Sequence, residues 1–271
     1  MKVCANVILS FWLFLSVGTC CNAQDQAIKT TLDANANPKV FDTLFCRYGC
    51  EPLKHLGRRR EWVQIKMPAK VDEKPATQAG LYSYFSLSGD FTIEVHYHCG
   101  TIPAPKKGYG MSCGIAVDTH GPDGAISFTR NFSHEKNGSG YAVTRSIPVD
   151  NKPEYETKIF PTKARKGRLI FKRVGKVVYC LAGDNKEEPT ELCKLEFTES
   201  KVYQLRLFAD PGGADYPINM WIGKLQINAD SISTAFPGNR QVTYWWLIPI
   251  GLFVLVLVGF LYRKKKLSQK R

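Results

Sequence analysis

Residues Gly89 to Cys99 read GDFTIEVHYHC. Phe91, Ile93, Val95, Tyr97 and Cys99 alternate with Thr92, Glu94, His96 and His98. A period of two places alternate side chains on opposite faces, which is the pattern of a β-strand. One face covers a core and the other meets water, as in antiparallel sheets solvated on one side.

Further strands lie on either side of this one. Trp62 to Met67 is a short strand closed by Pro68, and Leu81 to Leu87 is the next, turned into the founding strand by Ser88-Gly89-Asp90. After a Pro- and Gly-rich loop, Ile102 to Gly110, come Met111 to Val117, Ala125 to Phe132 and Gly140 to Ile147. Leu169 to Arg173 and Val177 to Leu181 flank Val174-Gly175-Lys176, where Gly175 supplies the positive φ of a tight hairpin. Leu192 to Phe197, Val202 to Ala209 and Asn219 to Ile227 complete the set. No convincing helical run interrupts them, although Val40 to Leu56 has room for a short helix or loop. About ten strands separated by turns predict an all-β fold, an antiparallel two-sheet sandwich.

Both ends read as addressing segments. Lys2 precedes an apolar run from Val7 to Val17, with small residues near Ala23, so 1–23 is expected to be a signal peptide. The alternative is a lipoprotein signal lipidated at Cys20, for which Val17-Gly18-Thr19 is a poor approach. The uncharged stretch 244–262 is long enough for one transmembrane helix, with Tyr244, Trp245 and Trp246 as an aromatic belt at one end, Tyr262 at the other, and Arg263-Lys-Lys-Lys266 following. The expected organisation is an N-terminal arm over 24–61, a sandwich over 62–232, a linker over 233–243, and a basic tail over 263–271 inside the cell. The expected location is a membrane, single-pass, with the ectodomain exported. Of the net charge of +13, Lys2 and the six basic residues after Tyr262 account for seven. The basic balance therefore reflects topology rather than nucleic-acid binding, and the tail can sit on anionic headgroups.

Six cysteines follow residue 23: Cys46, Cys50, Cys99, Cys113, Cys180 and Cys193. An even number in an exported chain permits disulfides. Strand phase suggests Cys99 with Cys113, placed on neighbouring strands, and Cys180 with Cys193. Cys46 and Cys50 are four apart and close enough for a local bridge. Buried free thiols are the alternative throughout. Glu94, His96 and His98 share one strand face, where i and i+2 side chains can reach one metal ion; plain solvent-facing polar residues explain them equally. Arg58 to Arg60 reads as a solvated surface run.

The segments SGDFTIEVHYH, the Gly108-Tyr109-Gly110 loop, IFKRVGKVVYC and MWIGKLQI resemble the concanavalin A-like lectin/glucanase sandwich over about Trp62 to Ile232. More closely they are similar to a group of secreted domains of unknown function found chiefly in planctomycete bacteria. The Arg173-Val174-Gly175 hairpin is similar to one in laminin-G-like domains. The resemblance implies a jelly roll whose loops or concave face bind sugar or protein. Laminin-like sandwiches hold calcium in rim loops, which points to Asp210 and Asp215 in Asp-Pro-Gly-Gly-Ala-Asp, a stretch that turn chemistry also explains. Calcium is the one cofactor this implies.

Glucanases of this fold resemble E-x-D-x-E on one strand, with carboxylates about 5 Å apart. This chain departs from that pattern: Glu154 and Glu156 stand in a polar stretch without a third acid, and Glu94 stands alone. The expected function is a membrane-tethered, non-catalytic binding or cell-envelope module for glycan or protein, with no catalytic residue assigned. The alternatives are a glycoside hydrolase or lyase of the same fold and a structural partner subunit.

Overall fold

A computed structural model describes residues 28–33, 39–49, 56–59, 61–68, 70–71, 74–75, 77–100, 105–133, 138–150, 152–184, 187–214 and 216–234. They form two antiparallel sheets. The elements in chain order are β1 (Ile28–Asp33), α1 (Val40–Leu44), β2 (Phe45–Tyr48), β3 (Leu56–Arg59), β4 (Trp62–Met67), the two-residue strands β5 (Lys70–Val71) and β6 (Lys74–Pro75), β7 (Ala79–Ser83) and β8 (Phe85–Cys99). There follow β9 (Met111–Asp118), β10 (Ala125–Phe132), β11 (Gly140–Val149), β12 (Lys152–Pro161), β13 (Lys166–Val174), β14 (Val177–Asp184), β15 (Thr190–Glu196), β16 (Gln204–Asp210) and β17 (Ile218–Thr234).

The eight-stranded sheet runs β15-β14-β13-β8-β17-β4-β3, with β1 also paired to β17. The seven-stranded sheet runs β12-β11-β10-β9-β16-β7-β2. β8 sits in the middle of the first sheet, and its burial alternates along 91–99 as its sequence does. Its apolar residues meet those of β9, β10 and β16, including Ile115, Phe128 and Leu207, all essentially inaccessible to solvent. Burying such side chains is the main stabilising term, roughly 1.5–3 kcal/mol each.

Four differences from the expected layout have physical reasons. Ser88-Gly89-Asp90 is not a turn, because β8 is continuous from Phe85 to Cys99. Gly89 takes a φ of +70° and kinks the strand without ending it. The break falls instead at Tyr84, where the chain leaves the seven-stranded sheet for the eight-stranded one. Buried Ser83 fixes that crossover, donating to the Phe85 carbonyl at 2.8 Å and accepting from the Leu205 N–H at 2.9 Å. The arm 24–61 contributes β1, β2 and β3 to the sheets rather than lying outside them. Lastly, 152–161 is an edge strand, polar because nearly all of it is exposed on both faces.

Two arginines are buried to 1% exposure within this framework. Arg130 on β10 donates to the carbonyls of Ala164 (2.7 Å), Thr162 (2.9 Å), Gly140 (3.0 Å) and Asn131, and stacks 4.1 Å over Phe132. Arg173 on β13 donates to Gly89, Thr198 and Ser200 carbonyls and lies 4.6 Å over Phe91. Each charge is tolerated because its donors are taken up by backbone oxygens. The hairpin turn at Gly175 has the expected positive φ, +56°.

Among the described residues no helix is long and apolar enough to cross a membrane. The signal segment with Cys20, the stretch 244–262, the basic tail, Cys50 and Asp215 lie outside those residues.

Candidate functional site

The outward face of the seven-stranded sheet is built from two adjacent transverse rows. Strand register places Thr144, Ser127, Ala116, Arg206 and Tyr82 in one row. The next row holds Ala142, Thr129, Gly114, Phe208, Gly80 and Tyr48. The β11, β10 and β9 side is thus paved with small and hydroxyl-bearing side chains. The β16, β7 and β2 side carries an arginine and three aromatic rings.

This face points away from the core yet is sunken. Ala116 is 1%, Phe208 5% and Thr129 6% exposed. Gly80 and Gly114 flank Phe208 because no Cβ fits there: it would lie 2.0 Å from the Leu207 carbonyl at Gly80 and 2.2 Å from the Phe128 carbonyl at Gly114.

The aromatic wall is continuous. The Tyr48 and Tyr82 rings are 6.0 Å apart, and Tyr84 stands edge-on to Tyr82 at 5.9 Å. The Arg206 guanidinium lies 5.9 Å from the Phe208 ring and donates to Gln78 Oε1 at 3.4 Å. Gln78 donates in turn to Asp210 at 3.0 Å. Two polar atoms in this wall, the Tyr48 hydroxyl and Arg206 Nε, are buried without a hydrogen-bond partner. Burial pushes the Tyr48 pKa up to about 12, against the pull of nearby Arg206. Its hydroxyl is therefore a neutral donor and acceptor at physiological pH.

Asp210, expected as a calcium ligand, is already engaged. Its carboxylate accepts from Tyr109 at 3.1 Å to each oxygen, from the Gly212 N–H at 2.8 Å, and from Gln78. These donors stabilise the charge that calcium would otherwise neutralise, and they tie the 108–110 loop to β16.

Glu94, His96 and His98 do share the outer face of β8, but they do not converge as a ligand set. His96 Nε2 lies 3.4 Å from Glu94, and Arg168 approaches the same carboxylate at 3.7 Å. The His96 hydrogen bond, with help from Arg168, holds the Glu94 carboxyl below its ordinary range. Arg168 thus already pairs with this carboxylate. His98 is set apart, opposite Lys166 on β13 and Trp221 on β17. Among the described residues no group of three or more His, Cys, Asp or Glu could hold a metal ion.

The described cysteines are unbridged. Cys99 and Cys113 do meet, with sulfurs 3.6 Å apart. They approach across the core from opposite sheets, not from neighbouring strands, because β8 and β9 belong to different layers. Cys180 and Cys193 are direct partners across the β14–β15 ladder. Cys46 is half-buried on β2. Glu154 and Glu156 are exposed on edge strand β12.

The paved face with its aromatic wall could not be read from the sequence. Alternation shows that Arg206 and Phe208 point the same way, but not that β16 lies between β9 and β7.

No family model and no curated protein matches the chain. Solved structures do. A functionally unknown protein from Saccharomyces cerevisiae is 12% identical, with a TM-score of 0.50 over 69% of this chain and 96% of that one. A β-1,3-1,4-glucanase (lichenase) from a mouse hindgut metagenome is 10% identical, with a TM-score of 0.49 over 69% of this chain and 94% of its own. An immunostimulatory antigen and pseudo β-1,3-glucanase of Mycobacterium tuberculosis is 8% identical, at 0.48 over 72% and 92%. At these identities the yeast likeness speaks for the fold alone, a two-layer antiparallel β-sandwich, and the other two carry no argument.

Proposed function

We propose that the protein is a non-catalytic glycan-binding module whose binding surface is the sunken face of the seven-stranded sheet. The observation that carries this is the wall of Tyr48, Tyr82 and Arg206 beside a floor of small and hydroxyl-bearing side chains. Sugars offer apolar ring faces and many hydroxyls, and a site of aromatic rings with a few fixed polar groups suits both. The non-catalytic reading is supported by where the carboxylates lie. On this face Asp118 and Asp210 stand at opposite ends. Asp210 pairs with Ser112 on β9, six residues from Asp118, so roughly 20 Å separates them at the strand rise. Hydrolysis needs about 5–9.5 Å between the pair.

We further propose that 1–23 directs export and 244–262 holds the module at a membrane with the tail inside, so that surface density offsets modest affinity. The kinship to planctomycete secreted domains rests on the sequence motifs.

Full-length protein in detergent, screened on an array of immobilised polysaccharides, should be retained by at least one of them. Retention should fall about tenfold in Arg206→Ala and in Tyr82→Ala. Retention by none, or by proteins only, contradicts the proposal.

A further inference from the structure

We propose a second, separate carbohydrate site on the outer face of the eight-stranded sheet, a hollow that takes one neutral pyranose residue beside Trp62 and Trp221. It does not rest on the cleft of the other sheet. The hollow is about 460 Å³ and is lined by Arg59, Glu61, Trp62, His98 and Trp221. That is within the range of small-molecule sites, roughly 300–1,000 Å³.

Strand register explains how it forms. Gly223 on β17 lies opposite Trp62 on β4, and Trp221 lies opposite Gln64. The two indoles are therefore diagonal neighbours on one face, with Cα atoms about 7–8 Å apart. That spacing leaves room for a ring in contact with both, at about 3.5–4 Å from each. Gly223 leaves the ground between them bare, and it must be glycine: a Cβ would sit 2.3 Å from the Glu61 carbonyl oxygen. Beside it β17 bulges. Lys224 adopts a φ of +49°, and its N–H donates to that same Glu61 oxygen at 3.2 Å. Bulges of this kind re-aim side chains next to binding sites.

The polar groups of the hollow are uncommitted. Among the described residues, the side chains of Arg59, Glu61 and His98 and both indole N–H groups have no hydrogen bond or ion pair. One strand step away, Glu94, His96 and Arg168 satisfy one another. A guanidinium and a carboxylate open to the same space call for a ligand with both donors and acceptors and no net charge. A phosphate would leave Glu61 facing an anion, and a metal would find one carboxylate beside an arginine. A sugar answers each feature: hydroxyls donate to Glu61 and accept from Arg59, and the ring C–H face packs on indole. His98, whose pKa is lowered by burial and by Lys166, adds a neutral imidazole.

The test is a tryptophan-fluorescence titration of the full-length protein in detergent with cellobiose, laminaribiose, maltose and chitobiose. At least one should shift the emission with saturation, and affinity should fall about tenfold or more in Trp221→Ala and in Glu61→Gln. Arg206→Ala, on the other sheet, should leave it unchanged. Glu61→Gln changes no volume, so it guards against loss through misfolding. The proposal is overturned if no disaccharide shifts the emission. It is also overturned if Trp221→Ala and Glu61→Gln bind as wild type, or if Arg206→Ala abolishes binding. Loss in Arg206→Ala alone would assign the disaccharide to the cleft.

Discussion

Arg173 on β13 grips the Gly89 carbonyl with two donors, Nε at 3.0 Å and Nη2 at 2.6 Å. The bond locks the kink of β8 to the hairpin that follows β13, and Asp90 completes the lock by accepting from the Gly175 N–H at 2.7 Å. Arg173→Met keeps the stem but removes the donors to the Gly89, Thr198 and Ser200 carbonyls. The cost is roughly 3 kcal/mol, from the loss of several hydrogen bonds to a charged group. A melt of the two proteins should show the variant about 6–12 °C lower, from the usual scaling for a domain of this size.

The thiol pairs give a second prediction, that Cys180–Cys193 and Cys99–Cys113 are cross-linked in exported protein. Directly paired residues on an antiparallel ladder have Cα atoms about 4.5–5.5 Å apart, inside the range a disulfide spans. Alkylation under non-reducing denaturing conditions, followed by peptide mapping, should return both linked peptides. Recovery of all four as alkylated thiols contradicts this. In reduced protein the Cys193 thiol is held below its ordinary pKa by the Cys180 hydrogen bond, aided by Lys158. Cys113 is pushed up by its bond to Cys99 and by burial. Iodoacetamide should therefore modify Cys193 well before Cys113.

Glycine placement is testable by contrast. A Cβ at Gly223 would strike backbone at 2.3 Å, whereas at Gly57 the nearest atom is 3.4 Å away in the Gln64 side chain. Gly223→Ala is expected to cost about 2 kcal/mol through strand displacement. Gly57→Ala should change stability by less than about 0.5 kcal/mol, as surface substitutions do. Urea midpoints for the two variants check both statements.

Glu94 should leave a mark on acid stability. Its folded pKa lies below the ordinary value of 4.5. The stabilisation is therefore complete above about pH 4.5 and lost as pH falls through the lower, folded value. Glu94→Gln should flatten the urea-midpoint profile in that acid window. A profile of wild-type steepness in the variant would contradict the Glu94–His96–Arg168 cluster.

What the sequence disclosed, it disclosed through local pattern. The alternation of Phe91 to Cys99 marks the central strand, and Gly175 marks the hairpin, because strand period and positive φ are properties of neighbouring residues. Phase brings Cys99 near Cys113 and Cys180 beside Cys193, although the first two meet across layers and not on adjacent strands. β12 was missed for a physical reason: exposed on both faces, it has no apolar phase to betray it. The kink at Gly89 and a true turn share the same residues, and only the Tyr84 crossover separates them. Both proposed surfaces stayed hidden because each is a transverse row. Ala116, Arg206 and Tyr82 are far apart in the chain, as are Trp62 and Trp221, and register alone brings them together.

The most direct test is affinity electrophoresis of the full-length protein through a gel containing the polysaccharide that retains it best, with the gel assayed afterwards for new reducing ends. The account predicts strong retardation of the wild type, much weaker retardation of Arg206→Ala, and no reducing ends released by either. Retardation that Arg206→Ala leaves intact, or sugar released by the wild type, would contradict a non-catalytic cleft on the seven-stranded sheet.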